Sequence, residues 1–447
     1  MPVELNLKWD SYFDALDRCT SLTLEGRIVK VIGLIAEGEG LGLSIGSMCL
    51  VETDQGAKIR AEVVGFRDGR ILLMPYGDTR GIKPGSRIRF VDRSPQVHVG
   101  DGFLGRVING MGEPIDGKGG ISAKKQYPLY GSVINPMERR PIRELLDVGI
   151  GAINTMLPLG RGQRVAIMSG SGVGKSLLMS MMTRHTAADV TVIGLVGERG
   201  REVKEFVQNS LGPEGMKKAV VVAATSDSPP LVRMRGAYLA TTLAEYFRDQ
   251  GKDVLLIIDS ITRFAMSSRD VGLAAGEPPT SRGYTPSFFA QIPVLLERAG
   301  SVQGKGSITG IYTVLVEGDD LNDPVGDTVR SIVDGHIVLS RKLANRGHYP
   351  AIDVLDSVSR VCRDVVDAGH SHLRDKVIDV LSTYRDVEDM ITIGAYTDGT
   401  DSRVDQAKQL VPKIEGLFRQ DIAHRVSYDQ GLNSLKAIFQ ESGHALI

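Results

Sequence analysis

Hydrophobic and polar positions follow different patterns in successive parts of the chain. Residues 1–20 place Trp9, Phe13 and Leu16 at positions i, i+4 and i+7, a spacing that predicts a short amphipathic helix. Short β-type runs follow over residues 21–95, separated by Gly, Asp-Gly and Pro-Gly turns, and they predict a small all-β barrel. These runs are GRIVKVIGLIAE, SMCLVET, AKIRAEVVGF, GRILLMPY and SRIRFVD.

Residues 96–365 have a different pattern, in which nearly continuous aliphatic runs alternate with helix-length segments. Such runs are typical of strands covered on both faces, so we expect an α/β core with a doubly wound, mostly parallel sheet. The predicted strands are QRVAIMS, DVTVIGLV, KAVVVAAT, DVLLIID, SITGIYTVLV and GHIVLS. The predicted helices include SLLMSMMTRH, EVKEFVQNSL and LVRMRGAYLATTLAEYFRDQ.

Residues 366–447 become helical in pattern, most clearly in KVIDVLSTYRDVEDMI and DQAKQLVPKIEGLFRQDI. This predicts a small C-terminal helical domain. The four patterns together predict an amphipathic helix, a barrel, an α/β core and a helical domain, in that order along the chain.

Composition narrows the class of protein. A chain of 447 residues is too long for one ordinary core, so we expect two or three domains. Its 53 basic residues balance 54 acidic ones, which argues against attraction of the whole surface to nucleic acid or membrane but leaves a local basic patch open. The sequence shows neither a secretory signal nor an apolar run of about 18 residues. We therefore expect a cytoplasmic protein that can still dock on a membrane-bound partner.

The three cysteines, Cys19, Cys49 and Cys362, are far apart and do not have metal-ligand spacing. An odd and sparse set of this kind indicates a reducing compartment and buried or partly buried thiols rather than a disulfide framework.

The strongest chemical signal is SGSGVGKS, residues 169–176, which follows a predicted strand and begins a predicted helix. This is the context of a P-loop, in which glycines turn backbone N–H groups toward phosphate oxygens and a helix N-terminus adds a favourable dipole. Lys175 is expected to bridge the β- and γ-phosphates and Ser176 to ligate Mg²⁺. Ser169 stands where the motif has its first glycine, whereas the glycines nearest the phosphates are present. The nucleotide-binding candidates are Gly170, Ser171, Gly172, Val173, Gly174, Lys175, Ser176 and Leu177.

Asp259 is a second candidate because it ends the aliphatic run VLLIID. This places a carboxylate at the carboxyl edge of the sheet, where ligands of open α/β sheets bind and where it can hold Mg²⁺ or its waters. Many strands end in Asp, so the pattern alone is weak. A P-loop on another strand of the same sheet makes it much stronger.

Glu198 and Arg199 form a third candidate, in GERGRE after the strand TVIGLV. If this strand neighbours the P-loop strand, Glu198 faces the γ-phosphate and can orient the attacking water. Arg199 can act on phosphate charge. The alternative is a charged surface turn that caps the helix EVKEF.

The motifs occur in a characteristic order, namely GSGVGKS, VGERGRE, LLIIDSITRFA, GEPP…GYTPS, EGDDLNDP, DGHIVLSR and YPAIDVLDSVSR. Over roughly residues 21–447 the chain resembles the catalytic subunits of the rotary ATPase superfamily, which have a RecA-like P-loop core. GERGREVKEF, DGHIVLSRKLANRGHYPAID and AGEPPTSRGYTPS most resemble the flagellar type III export ATPases, also called flagellum-specific ATP synthases.

The resemblance implies a role for each matching residue. Glu198 looks like the water-activating glutamate and Asp259 like the Walker B carboxylate. Arg199 and Arg263 look like the neighbouring arginines that organise the site.

Tyr349, which opens YPAID, looks like the aromatic residue that stacks on adenine. Arg360, which closes SVSR, matches the arginine finger that reaches the nucleotide of the next subunit. Without the motif, Tyr349 is better explained as a packed core aromatic and Arg360 as a surface ion-pair former, and the motif reverses this preference.

The resemblance also implies a cytoplasmic homohexamer, peripheral to the inner-membrane export apparatus, that hydrolyses ATP with Mg²⁺ to assist protein export. Implied partners are a negative regulator at the N-terminal helix, a central-stalk-like coiled coil, a membrane export gate, and export substrates with their chaperones. Nucleic acid is not expected. The apolar stripe of residues 1–20 has a second explanation, which is packing on its own barrel.

Several other functions compete with this one. An injectisome export ATPase shares every catalytic motif. A rotary ATP synthase catalytic subunit is less favoured by the phrases above, and a non-catalytic ring subunit usually lacks the Glu198 carboxylate. A ring helicase should have a more basic, aromatic-bearing N-terminal surface.

Overall fold

The computed structural model describes residues 24–316, 318 and 323–441. The helix predicted over residues 1–20 lies outside the described residues, and so does Cys19. Of the other two cysteines, Cys49 and Cys362, both are free and buried, as predicted.

The first compact unit of the chain ends at Pro95 and contains the predicted barrel. In its described part, six antiparallel strands close in the order β1-β2-β5-β4-β3-β6 around apolar side chains such as Ile28, Val51 and Leu73. The predicted run GRIVKVIGLIAE forms two strands rather than one, because the chain turns at Gly33 with φ of 56°. The strands are β1 (Glu25–Ile32), β2 (Ile35–Glu39), β3 (Met48–Glu52), β4 (Lys58–Arg67), β5 (Arg70–Pro75) and β6 (Arg87–Asp92).

The second unit begins at Gln96 and is built on a mostly parallel sheet, in the order β19-β18-β12-β17-β15-β13-β14-β8. Strand β19 runs antiparallel at one edge, and β16 pairs antiparallel with β17. The strands of this unit are β7 (Gln96–Val99), β8 (Val107–Asn109), β9 (Lys125–Pro128), β10 (Leu145–Leu146), β11 (Leu159–Gly160), β12 (Arg164–Ser169), β13 (Val190–Val196), β14 (Ala219–Ala224), β15 (Asp253–Asp259), β16 (Gly300–Ser301), β17 (Ser307–Leu315), β18 (Gly335–Leu339) and β19 (Ile352–Ser359).

Both faces of this sheet are buried, which confirms the doubly wound arrangement. On β12, Val165 and Ile167 join one apolar core, whereas Ala166 and Met168 join the core on the other face. The helices of the described residues are α1 (Gly151–Met156), α2 (Lys175–His185), α3 (Gly200–Glu205), α4 (Gly212–Lys217), α5 (Pro230–Asp249), α6 (Ile261–Ala275), α7 (Pro286–Leu296), α8 (Pro324–Ile332), α9 (Arg341–Asn345), α10 (Cys362–Val365), α11 (Ala368–Thr392), α12 (Ser402–Phe418) and α13 (Tyr428–Glu441).

Helices α11, α12 and α13 form the predicted C-terminal helical region. Helix α12 ends at Phe418, four residues earlier than the predicted helical piece. Buried His370 ties α11 to two other helices, since its Nε2 lies 2.6 Å from Thr155 O and its Nδ1 lies 2.8 Å from the Tyr428 hydroxyl. Among the helices of the described residues, none is both long and apolar enough to cross a membrane.

Candidate active site

The P-loop connects the end of β12 at Ser169 to the start of α2 at Lys175. Gly172 and Gly174 adopt φ values of 77° and 101°, which glycine accepts without strain. A Cβ atom on Gly172 would meet nothing within 4 Å, so the backbone at this point borders open space. The loop therefore has the shape and the helix N-terminus that a phosphate group requires.

The residues of the P-loop divide into buried ones, which anchor the loop, and exposed ones. Val173 is buried in the core and Leu177 packs against it, whereas Gly170 is buried at the end of the strand. Ser171 and Ser176 are exposed. The exposed serines are thus accessible to a ligand, while the apolar side chain of Val173 fixes the loop.

Lys175, Asp259 and Glu198 form one charged cluster at the carboxyl edge of the sheet. Lys175 Nζ lies 2.5 Å from Asp259 Oδ1 and 3.3 Å from Glu198 Oε1. The Asp259 side chain is 3% exposed, and those of Lys175 and Glu198 are 12% and 17% exposed. All three residues predicted for catalysis at this edge are therefore brought together.

The route by which Glu198 reaches the P-loop differs from the sequence expectation. Strand β13, which precedes Glu198, does not neighbour β12, because β17 and β15 lie between them. Lys175, at the start of α2, nevertheless contacts Glu198, with 3.3 Å between Nζ and Oε1. Gly197, with φ of 73°, makes the turn before Glu198, and its lack of a side chain admits Arg263, whose Cβ lies 2.8 Å from where a Gly197 Cβ would be.

Burial and charge set the protonation of this cluster. Burial disfavours the ammonium form of Lys175, but Asp259 and Glu198 outweigh this effect and raise the pKa of the amine. Burial also raises the pKa of the Glu198 carboxyl, against the opposing effect of Lys175, and nearby Glu202 adds to the rise. Lys175 therefore stays charged, and the raised pKa makes the Glu198 carboxylate a better proton acceptor.

A cavity of about 140 Å³ lies beside the cluster and is bordered by Ser176, Glu198 and Asp259. The Ser176 hydroxyl and the Asp259 carboxylate are hard oxygen donors of the kind that Mg²⁺ prefers. The donors present at this cavity therefore fit a nucleotide-bound Mg²⁺.

The four other predicted site residues differ in their positions. Tyr349 packs against the P-loop at Gly174. The Nε atom of Arg263 is buried and has no hydrogen-bond partner in the described residues, which suits an anionic ligand. The Arg199 side chain is 81% exposed and pairs with Glu202 at 3.6 Å.

Arg360 lies near the amino ends of the parallel strands, whereas the P-loop of its own chain lies at their carboxyl ends. Ser169 of β12 is level with Leu339 of β18, whereas Ser359, just before Arg360, is level with Gly335. Arg360 is exposed, and it donates from its guanidinium to the carbonyl of Arg330 at 3.3 Å.

Two residues of the site were missed by sequence reasoning. Thr313 on β17 donates a 2.6 Å hydrogen bond to Asp259 Oδ1, and Arg341 donates to the carbonyl of Ser171 at 3.2 Å. A threonine near the carboxyl end of an otherwise apolar run was the available signal for Thr313. For Arg341 the sequence offered no signal, because the contact depends on the neighbouring positions of β12 and β18.

Comparison with known proteins agrees with this geometry. Residues 149–359 match the ATP synthase alpha/beta family, nucleotide-binding domain, and residues 28–92 match the beta-barrel domain of the same family. Residues 366–437 match the T3SS EscN ATPase C-terminal domain. The flagellum-specific ATP synthase of Bacillus subtilis is 47% identical, over 97% of this chain and 99% of that protein. The chain belongs to the family of flagellum-specific ATP synthases.

Further relatives extend this result. The flagellum-specific ATP synthase of Salmonella typhimurium is 46% identical over 93% of both chains. Among solved structures, the assembled ATPase EscN of the enteropathogenic E. coli type III secretion system has a TM-score of 0.88 and 42% identity. That match covers 92% of this chain and 99% of EscN. Membership of this family makes the chain a nucleotide-binding ATP hydrolase, as the sequence predicted.

Proposed function

We propose that this chain hydrolyses ATP with Mg²⁺ to assist flagellar protein export, and that it works as a cytoplasmic homohexameric ring. The observation that carries the proposal is the cluster of Lys175, Glu198 and Asp259 beside the P-loop, in a chain 46–48% identical to several flagellum-specific ATP synthases.

When ATP binds, Lys175 exchanges its two carboxylate partners, Asp259 and Glu198, for phosphate oxygens. The P-loop N–H groups and Lys175 hold the β- and γ-phosphates, and the ammonium turns from the two carboxylates toward phosphate oxygens. Tyr349 stacks on adenine. Ser176 and Asp259 would hold Mg²⁺, which would neutralise phosphate charge.

Hydrolysis then depends on Glu198. Its carboxylate, freed from Lys175, accepts a proton from a water whose oxygen attacks the γ-phosphorus. The bond from the γ-phosphorus to the bridging oxygen breaks, giving ADP and inorganic phosphate. Arg263 and Arg199 stabilise charge on the transferring group; Arg263 lies against Gly197, next to Glu198, and its Nε has no hydrogen-bond partner among the described residues.

The position of Arg360 supports a ring. Strand β19 carries the chain from the level of Leu339 to the level of Gly335, four residues along β18 and about 13 Å away from the end of the sheet that holds the P-loop. A guanidinium placed there is remote from its own nucleotide, so Arg360 acts on the nucleotide of a neighbouring subunit. EscN, a similar protein, is known as an assembled ATPase and in complex with its central stalk EscO. A homohexamer with a coiled-coil stalk partner follows for this chain.

The remaining partners follow from the family alone. A negative regulator binds the helix predicted over residues 1–20, and the ring docks at the inner-membrane export gate, where it receives substrates and chaperones. Deleting residues 2–18 should abolish the complex with a co-expressed regulator. An unchanged complex would mean that the apolar stripe packs on its own barrel instead.

The proposal is tested by isolating the tagged protein from its native cell and measuring phosphate release in parallel. Mg²⁺-dependent ATPase activity together with recovery of flagellar rod, hook or export proteins is the expected result. Recovery of injectisome proteins would place the chain in the other export system, and absence of ATPase activity from the assembled protein would contradict the enzyme assignment.

A further inference from the structure

Thr313 is a buried hydroxyl at the centre of the proposed site. Its strand, β17, lies between β12, which leads into the P-loop, and β15, which ends at Asp259. Thr313 is completely buried and stands two residues before the end of this strand. The strand order therefore places Thr313 between the strand that leads into the P-loop and the strand that ends at Asp259.

The contacts of Asp259 are unequal at its two oxygens. Oδ1 accepts from Thr313 Oγ1 at 2.6 Å and from Lys175 Nζ at 2.5 Å. Oδ2 receives no hydrogen bond from the described residues. Two donors on one oxygen fix the carboxylate and leave the other oxygen available to a ligand.

Lys175 does not keep its contact with Asp259 when nucleotide is bound in the proposed site. When Lys175 turns to the phosphates, Thr313 is the donor that remains on Asp259 Oδ1. A carboxylate held by a fully buried, short hydroxyl contact keeps one rotamer, whereas one without it can rotate.

We propose that Thr313 is a positioning residue for nucleotide-bound Mg²⁺. Its hydroxyl holds Asp259 by Oδ1, so that Oδ2 stays directed to the metal or its waters. This inference rests on the proposed function, and specifically on the metal role of Asp259.

The same strand provides a matched control. Thr309 is also buried, but its hydroxyl accepts a 2.9 Å hydrogen bond from the N–H of Gly162, near the amino end of β17. A buried threonine with a purely structural role is therefore available at the other end of the strand. Valine at either position replaces a hydroxyl by a methyl group of similar size.

The test compares Thr313→Val, Thr313→Ser and Thr309→Val in the full-length protein. Two properties are measured: the Mg²⁺ concentration for half-maximal ATPase activity, and the increase in melting temperature with ADP, with and without Mg²⁺. Thr313→Val should need about tenfold more Mg²⁺, as expected for loss of a hydrogen bond to a charged group. It should also lose most of the Mg²⁺-dependent part of the thermal shift, while the shift with ADP alone is retained.

The conservative variant decides whether the hydroxyl is responsible. Thr313→Ser should stay within about twofold of the wild-type Mg²⁺ requirement, because the donor is retained. Thr309→Val should lower the melting temperature without changing the Mg²⁺ requirement. A wild-type Mg²⁺ requirement in Thr313→Val, or a serine variant as impaired as the valine variant, would overturn the inference.

Two further variants separate possible failures. If Thr313→Val does not fold, Thr313→Ala is measured and interpreted in the same way. If Asp259→Asn keeps the wild-type Mg²⁺ requirement, the metal role in the proposed function is wrong. If Asp259→Asn changes the requirement and Thr313→Val does not, the Thr313 inference alone is overturned.

Discussion

Tyr349 packs directly against Gly174 of the P-loop, where a Cβ atom would lie 3.1 Å from Tyr349 Cε1 and 3.3 Å from Cδ1. Gly174 also has a left-handed φ of 101° and is the N-cap residue of α2. The backbone conformation of the P-loop and the position of the proposed adenine-stacking ring therefore depend on the same missing side chain.

Gly174→Ala should weaken ATP binding about tenfold or more, because the new methyl group strains the backbone and displaces Tyr349. The left-handed conformation alone costs about 1–2 kcal/mol in a residue with a Cβ. Gly347→Ala is the control, since Gly347 has φ of 67° and open space around its missing Cβ. Equilibrium titration with a fluorescent ATP analogue measures the effect. Equal affinities in the wild type and Gly174→Ala would show that the Tyr349 contact has no part in binding.

Lys175→Ala and Glu198→Gln should separate binding from turnover. Lys175→Ala removes the cation that faces phosphate, so both tight ATP binding and hydrolysis should be lost. Glu198→Gln should keep binding and lose about 10²–10⁴ in turnover, the usual contribution of a general base. Glu202→Gln alters another carboxylate on the same cavity and should retain most activity. Phosphate release and analogue binding are measured on all three, and wild-type turnover in Glu198→Gln would remove it from the catalytic role.

His370 should make the stability of the C-terminal helices depend on pH. Burial lowers the pKa of His370 below its usual value near 6.5, so the folded protein binds fewer protons than the unfolded chain as pH falls through that value. Stability contributed by neutral His370 is therefore present above pH 6.5 and is lost below it. His370→Gln should cost about 1–3 kcal/mol at pH 7.5 and less at pH 5.5. Melting temperatures of both proteins at the two pH values test this, and an equal difference at both would contradict it.

Much of the sheet and the P-loop was predictable from sequence, because strand composition and the P-loop glycines are features of short segments. The buried runs ending at Ser169 and Asp259 identify strands by composition, and the glycines of the P-loop are required by their backbone conformation. The nearly continuous aliphatic runs likewise predicted strands that are buried on both faces, and hence a doubly wound sheet.

What escaped sequence reasoning depends on strand order and on contacts between distant segments. The insertion of β17 between β12 and β15 places Thr313 on Asp259, and the runs themselves carry no information about which strands pair. Phe206–Leu211 was expected to continue a regular helix but forms a π-helical segment. Its Ser210 carbonyl accepts from Ser180 of α2 at 2.9 Å, a tertiary contact that local propensity does not report.

We propose that each active site is shared between two subunits, with Glu198 from one and Arg360 from the next. Arg360→Ala should leave ATP affinity nearly intact and remove much of the about 10³–10⁵ in rate that an arginine finger contributes. Glu198→Gln should be inactive for the separate reason given above. Each variant alone therefore lacks one half of every site.

Mixing inactive Arg360→Ala with inactive Glu198→Gln protein tests whether two subunits share one site. Mixed rings contain some interfaces at which an intact Glu198 meets an intact Arg360 from its neighbour. Phosphate release should partly return on mixing and rise with protein concentration as rings form. A mixture as inactive as either parent, in samples where native mass spectrometry shows mixed rings, would contradict the action of Arg360 on a neighbouring subunit.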